Sequence, residues 1–267
     1  MDRVTLQFNN DNTVATVALN RPEKHNGVDW PMLKAVRTVQ LKLAKHKTLR
    51  AVILKGEGPS FCAGLDVKSV MSNPKTAVVM YANLWLPMRN IFQSWSMGWR
   101  DLGVPVIAQI HGNCFGAGIQ LALGADIRVC STDSQLSILE AKWGLVPDMG
   151  GGALLRELLP VDVAKELTMT GRVLSGLQAK DLGLVTHAVE NPDEKVQALV
   201  QEILTRSPDS VAASKFMLQR IFGIDEAAHL TQERRWQRRL LGFKNQRISV
   251  VKNSKQPAMP FAKRQIR

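Results

Sequence analysis

What most constrains this chain is that short apolar strands alternate with helical stretches and then stop at Val189. Residues 4–8 and 13–19 alternate apolar and polar side chains around Asn9-Asn10-Asp11-Asn12, which predicts an opening β-hairpin. Residues 30–47 place Leu33, Val36, Val39, Leu41 and Leu43 at roughly helical spacing, with Asp29 as N-cap and Pro31 in the first turn. Short buried strands are expected at 51–54, 104–110, 127–130 and 136–139. A Met- and Trp-rich helix is expected over 76–100, kinked or broken at Pro87. Helices are predicted at about 151–159, 161–170, 176–182, 193–206 and 208–222. Strands interleaved with helices make an α/β layer structure, and the strand-free remainder makes a helical appendage. Two β-β-α units are visible, over 4–47 and 104–146, too dissimilar in sequence to be a repeat.

Charge is concentrated at one end. The 267 residues carry a formal net charge of +12, yet from Arg234 to Arg267 there are eleven basic residues and no acidic one. The first 233 residues are nearly balanced, with 24 basic against 23 acidic. This asymmetry calls for an anionic partner at the C-terminal segment: nucleic acid, a membrane surface or a phosphorylated small molecule. At 45% hydrophobic and 22% charged, the composition excludes a wholly disordered chain, although the stretch from Pro257 onward is expected to be partly disordered. No run approaches the ~18 apolar residues of a membrane span, and the start lacks the plan of a signal peptide, so a cytoplasmic protein is expected. Cys62, Cys114 and Cys130 lie among apolar neighbours with no CxxC pair and read as buried free thiols. The five histidines show neither ligand nor triad spacing, and no metal is implied.

Two glycine-containing loops each follow a buried strand: Gly56-Glu57-Gly58-Pro59-Ser60-Phe61-Cys62-Ala63-Gly64-Leu65-Asp66-Val67-Lys68 and Gly112-Asn113-Cys114-Phe115-Gly116-Ala117-Gly118-Ile119-Gln120. Where a strand turns into a helix through small residues, unpaired backbone N–H groups face outward and attract anions. Neither loop has a GxxxxGK[ST] or GxGxxG pattern, which argues against a nucleotide site. Either loop alone reads as a tight turn. Two N–H groups converging on one oxygen would make an oxyanion hole.

The two loops, preceded by Asn20-Arg21-Pro22-Glu23-Lys24-His25-Asn26 and followed by Glu140-Ala141-Lys142-Trp143-Gly144-Leu145-Val146-Pro147-Asp148-Met149-Gly150-Gly151, resemble the crotonase (enoyl-CoA hydratase/isomerase) superfamily. The resemblance runs from about residue 4 to residue 255. It implies the crotonase-like fold, an α/β spiral of β-β-α units over residues 1–190 with a helical oligomerisation segment over 191–267. It also implies an acyl-CoA substrate, with coenzyme A as part of that substrate and no separate cofactor, and a homotrimer or a hexamer of paired trimers.

By the same resemblance the thioester oxygen sits between the backbone N–H groups of Leu65 and Ala117. Hydratases of the family carry two glutamates, whose positions fall on Gln120 and Glu140. Gln120 cannot titrate, although it can hydrogen-bond a water or substrate. The dienoyl-CoA isomerases place a Glu and an Asp where Glu140 and Asp148 stand, with a further Asp in place of Gln120. Asp148 reads equally as a helix cap before Gly150-Gly151-Gly152. Substrate contacts are expected from Lys24, Ala63, Asp66, Lys68 and Gly116, and an acyl pocket from among Met71, Met80, Trp85, Met88, Phe92 and Trp95, a stripe that also reads as plain core. Some of the C-terminal cations, Lys252 and Lys255 among them, would meet the phosphates of coenzyme A. Isomerisation through Glu140 is the leading expectation, with hydration by Glu140 and a water held by Gln120 as the alternative. Nucleic-acid binding by the basic tail rests on charge alone, without interleaved aromatics to stack on bases.

Overall fold

The computed structural model describes residues 2–9, 11–66, 69, 74–83, 85, 89–220, 223 and 226–266. Strands β1 (Val4–Phe8) and β2 (Val14–Leu19) form the expected hairpin, with Val4 opposite Leu19 and Phe8 opposite Ala15. β2 then pairs in parallel with β3 (Ala51–Gly56), β3 with β4 (Val106–Ile110), β4 with β6 (Ile127–Ser131), and β6 with β9 (His187–Val189). A smaller sheet of three strands joins β5 (Asn113–Phe115), β7 (Gln135–Ser137) and β8 (Leu174–Ser175). The second expected β-β-α unit, over 104–146, is divided between the sheets, with β4 and β6 in the larger one and β7 in the smaller one, and β4 is followed directly by β5 of the smaller sheet. The turn between them passes through Gly112, whose φ of +55° and whose position, with Pro59 O 2.1 Å from where a Cβ would stand, require glycine.

Helix α1 (Trp30–Ala44) begins where Asp29 accepts a hydrogen bond from the Met32 N–H at 2.9 Å. The Met- and Trp-rich stretch forms two helices, α2 (Pro74–Asn83) and α3 (Ile91–Arg100), the latter opened by a reciprocal Asn90–Gln93 capping box. Pro87 lies outside the described residues. Next come α4 (Ala117–Leu123), α5 (Gly151–Leu158), α6 (Val161–Thr170), α7 (Gly176–Asp181) and α8 (Pro192–Leu204). Successive residues of β3 divide between two cores, as the pleat requires. Val52 and Leu54 join the large core with Met32, Val36, Trp95 and Trp99, while Ala51 and Ile53 join Ile107, Val129 and the α8 residues Val196 and Val200. Burial on both faces is why these parallel strands are continuous apolar runs.

The chain ends in α9 (Pro208–Leu218), α10 (Glu226–Leu240) and α11 (Lys244–Ser254). Lys215 on α9 is buried, and its Nζ reaches Asp126 Oδ2 at 2.7 Å, Trp99 O at 3.0 Å and Val104 O at 2.9 Å. Buried Asp209 accepts from Asn245 Nδ2 at 2.8 Å and from the N–H groups of Gln265 (2.6 Å) and Ile266 (2.8 Å). Asn245 Oδ1 in turn accepts from Ala262 N–H at 2.8 Å. The stretch expected to be partly disordered thus folds back onto α9, because two buried polar side chains supply the acceptors its irregular backbone needs. Lys252 is used within the chain: it donates to Pro257 O at 2.7 Å and lies over the Phe261 ring. Asp209→Ala should cost about 3 kcal/mol by removing the acceptor of three hydrogen bonds that hold the C-terminal segment. A lowered urea midpoint together with new proteolytic cleavage in 257–266 would bear this out, and an unchanged midpoint would refute it.

Candidate active site

Both glycine loops leave the carboxyl ends of neighbouring parallel strands, β3 and β4, the end at which open α/β sheets bind ligands. They are stitched to each other by backbone pairing: Phe61 N–H donates to His111 O at 2.9 Å, Cys62 N–H to Asn113 O at 3.0 Å, and Phe115 N–H to Cys62 O at 3.0 Å. Gly118 packs directly against this stitch, with Cys62 O 2.2 Å from where a Cβ would lie. Gly64, at φ +98°, is in a conformation that strains other residues, and its missing Cβ would press on Phe115 O at 3.0 Å.

Leu65 is held on both sides, since Gly64 O accepts from Val28 N–H and Asp66 N–H donates to Val28 O. Its own N–H, between them, has no acceptor among the described residues. Ala117 is the first residue of α4, so its N–H has no partner within the helix, and none elsewhere among the described residues. Its carbonyl is fixed by the buried Trp95 indole N–H at 2.8 Å. Both free donors border a cavity of about 460 Å³ lined by the first loop (Ala63, Gly64, Leu65), by Gly116, Ala117 and Gln120, and by Leu139, Glu140, Trp143, Leu145, Val146, Asp148 and Met149.

Glu140 opens a short 3-10 turn (Glu140–Trp143) just beyond β7 and is buried. Its Oε1 accepts from Gln120 Nε2 at 2.5 Å, while Oε2 is buried with no hydrogen-bond partner among the described residues. Burial pushes the Glu140 carboxyl above its ordinary 4.5, against the pull of its own backbone N–H and the Gln120 amide, and the Asp148 charge adds to the rise. Asp148 is exposed at the cavity edge and also raised, by partial desolvation. It does not cap α5. That end is satisfied from across the cavity by Gln120, whose Oε1 accepts from Met149 N–H at 2.8 Å and Gly151 N–H at 3.0 Å.

Residues 9–253 match the family model described as enoyl-CoA hydratase/isomerase. This chain belongs to that family. Among relatives, it is 32% identical over 214 residues to carnitinyl-CoA dehydratase of Salmonella typhi, covering 79% of this chain and 78% of that protein. Its fold is similar to that of the crystal structure of enoyl-CoA hydratase from Bacillus anthracis, with a TM-score of 0.87 at 26% identity and 98% and 99% of the two chains covered. A putative enoyl-CoA hydratase of Thermobifida fusca, solved in complex with acetoacetyl-CoA, aligns over 89% of this chain and 94% of its own, with a TM-score of 0.80 at 29% identity. The fold is crotonase-like, and the protein is an enoyl-CoA hydratase/isomerase family enzyme acting on CoA thioesters.

Of the residues expected to serve this enzyme, the cavity brings together Ala63, Leu65, Gly116, Ala117, Gln120, Glu140 and Asp148. Lys24 is exposed on the 3-10 turn Pro22–Lys24, beside a segment tied to the first loop by the Ala63 N–H to His25 O bond. The Asp66 carboxylate is occupied by Arg21 at 2.8 Å and the Ser69 N–H at 3.0 Å, so it serves the loop. Lys68, Met71 and Met88 lie outside the described residues. Phe92 and Trp95 are buried in the core, and the apolar wall of the cavity comes instead from Trp143, Leu145 and Val146, each more than half exposed. Their signal in the sequence was an apolar run in a stretch dense in Gly and Pro. The thiols are free and buried, and burial raises that of Cys62 to about 12, so no nucleophilic thiolate stands behind the first loop. Gly118→Ala should force the loops apart at a backbone atom that cannot yield. Turnover of any enoyl-CoA should fall at least about 10²-fold, the scale of losing one oxyanion donor, while circular dichroism stays native.

Proposed function

We propose that the enzyme isomerises an enoyl-CoA, moving its double bond along the acyl chain with Glu140 as the proton carrier. The thioester oxygen would be held by the N–H groups of Leu65 and Ala117. The Glu140 carboxylate takes a proton from C2 of a 3-enoyl thioester, and the electron pair passes into a dienolate whose negative charge rests on that oxygen. The same proton returns to C4, leaving the double bond between C2 and C3. Each aligned donor lowers such a barrier by about 3–4 kcal/mol. A carboxyl raised by burial suits this exchange, because its proton affinity moves toward that of the working solution.

The observation that carries the reading is the state of Gln120. Its carbonyl is filled by two backbone N–H groups, so it cannot accept a proton from a water, and one buried carboxylate is left to act. Hydration remains the second reading, favoured by a relative named as a dehydratase. It would have Glu140 supply both acid and base, with a water held by the remaining amide hydrogen of Gln120. Lys24, exposed on the turn next to the first loop, would meet the phosphates of coenzyme A.

Purified protein given 2-enoyl-, 3-enoyl- and 3,5-dienoyl-CoA, followed by absorbance, should convert an unsaturated substrate without adding water. Fast hydration of the 2-enoyl ester would overturn the isomerase reading. Glu140→Gln should slow turnover about 10²–10⁴-fold, whereas Asp148→Asn, at a carboxylate that carries no proton in this scheme, should keep most of the rate; a comparable loss there would mean that two carboxylates share the transfer. Because Glu140 works as a base and its carboxyl is raised, the rate should fall on the acid side at a pH above the ordinary value of a free glutamate. We further propose assembly as a trimer or paired trimers through α9–α11, where Leu218, Leu241, Phe243 and Val250 are exposed. Light scattering should give a mass three or six times that of the chain, and a monomer would exclude it.

A further inference from the structure

Gln120 is buried, and its amide can adopt only one orientation. The two backbone N–H groups of Met149 and Gly151 are donors, so the group facing them must be the carbonyl oxygen, and both its lone pairs are then used. The amide nitrogen is left facing Glu140 Oε1 at 2.5 Å. A proton on that oxygen would set an O–H donor against an N–H donor. The other oxygen, Oε2, is buried and without a partner among the described residues.

We propose that Gln120 is a positioning residue that dictates where a proton can sit on Glu140: Oε1 is held as an acceptor, and Oε2 alone carries the proton. This deepens the reading of Glu140 as the acid–base group and rests on it. The amide neither touches the proton nor titrates. It ties the carboxylate to the turn at 148–151. A glutamate at position 120 could still accept from Met149 and Gly151, but its second oxygen would meet Glu140 Oε1 and the two would share a proton. The clamp also explains Gly151: a Cβ there would stand 2.7 Å from Gln120 Oε1 and 3.0 Å from Pro147 Cβ, leaving the amide no space. Among the described residues, the one other charged group lining this cavity is Asp148.

The test is a carbon-13 NMR titration of the side-chain carboxyls in labelled protein, with Glu140→Gln identifying the Glu140 signal. Gln120's hydrogen bond favours the ionised form, so its loss must raise the midpoint. Gln120→Met should move the Glu140 midpoint up by roughly one unit, the scale of such interactions, and Gly151→Ala should move it the same way by pushing the amide aside. Gln120→Glu keeps the two backbone bonds, and with them the fold, yet should split the titration into two coupled steps, the upper one above the native midpoint. A merely structural glutamine would lower stability and turnover and leave the midpoint alone. Native-like midpoints, within about 0.2 unit, in folded Gln120→Glu and Gly151→Ala would overturn the proposal, 0.2 being small against the unit expected. The titration needs no turnover. Should the native enzyme fail to isomerise while the midpoints shift as described, the clamp stands and the isomerase reading falls.

Discussion

The pairing of Cys62 with Cys114 across the two glycine loops is the contact on which the cavity depends. It is a small ladder: Cys62 donates to Asn113 and accepts from Phe115. Each free N–H, of Leu65 and of Ala117, lies three residues after one of the paired cysteines, so the ladder sets the distance between them. Backbone groups paired in this way are stiff, and the absence of a Cβ at Gly64 and Gly118 lets the strands of chain come this close. Donors fixed before any ligand arrives need no reorganisation when charge develops on an oxygen between them, and preorganisation is what gives such donors their effect.

A second fixed element completes the cavity from the opposite side. Gln120 stands on α4, whose every residue is buried, and it joins that rigid helix to Glu140 and to the start of α5. The carboxylate and the free N–H of Ala117 are therefore both referred to the same short helix. Trp95 extends the frame by holding the Ala117 carbonyl, which explains why a large aromatic of α3 is buried in the core.

Much of the fold could be read from the chain because its signals are local. The hairpin follows from alternation around an Asn-rich turn, α1 from Asp29 and Pro31, and β3 and β4 from unbroken apolar runs. The strands β5 and β8 have no such signal, because two or three residues carry no period, and β9 shows only as the limit of strand-like sequence at Val189; all three exist by pairing with distant chain. The same division holds in the site. The loops announce themselves through their glycines, but the bonds from Gln120 to residues 20 to 31 positions away have no local mark. Asp148 was balanced between cap and free carboxylate, and only the arrival of Gln120 at the N-terminus of α5 decides against the cap. Phe92 and Trp95 read as pocket or core with equal ease, since a helical stripe does not say what covers it.

Lys215 has a mechanical consequence. Its ammonium reaches from α9 to the end of α3 and the approach to β4, and to Asp126 before β6, in one buried cluster. Sliding α9 against the sheet would strip a charge of three partners in a water-poor place, a cost far above that of shearing apolar side chains. The helical C-terminal layer is thereby geared to α3, the same helix whose Met97 backs Gly150 at the head of α5. A displacement of α9 would therefore be handed on through α3 to the floor of the cavity.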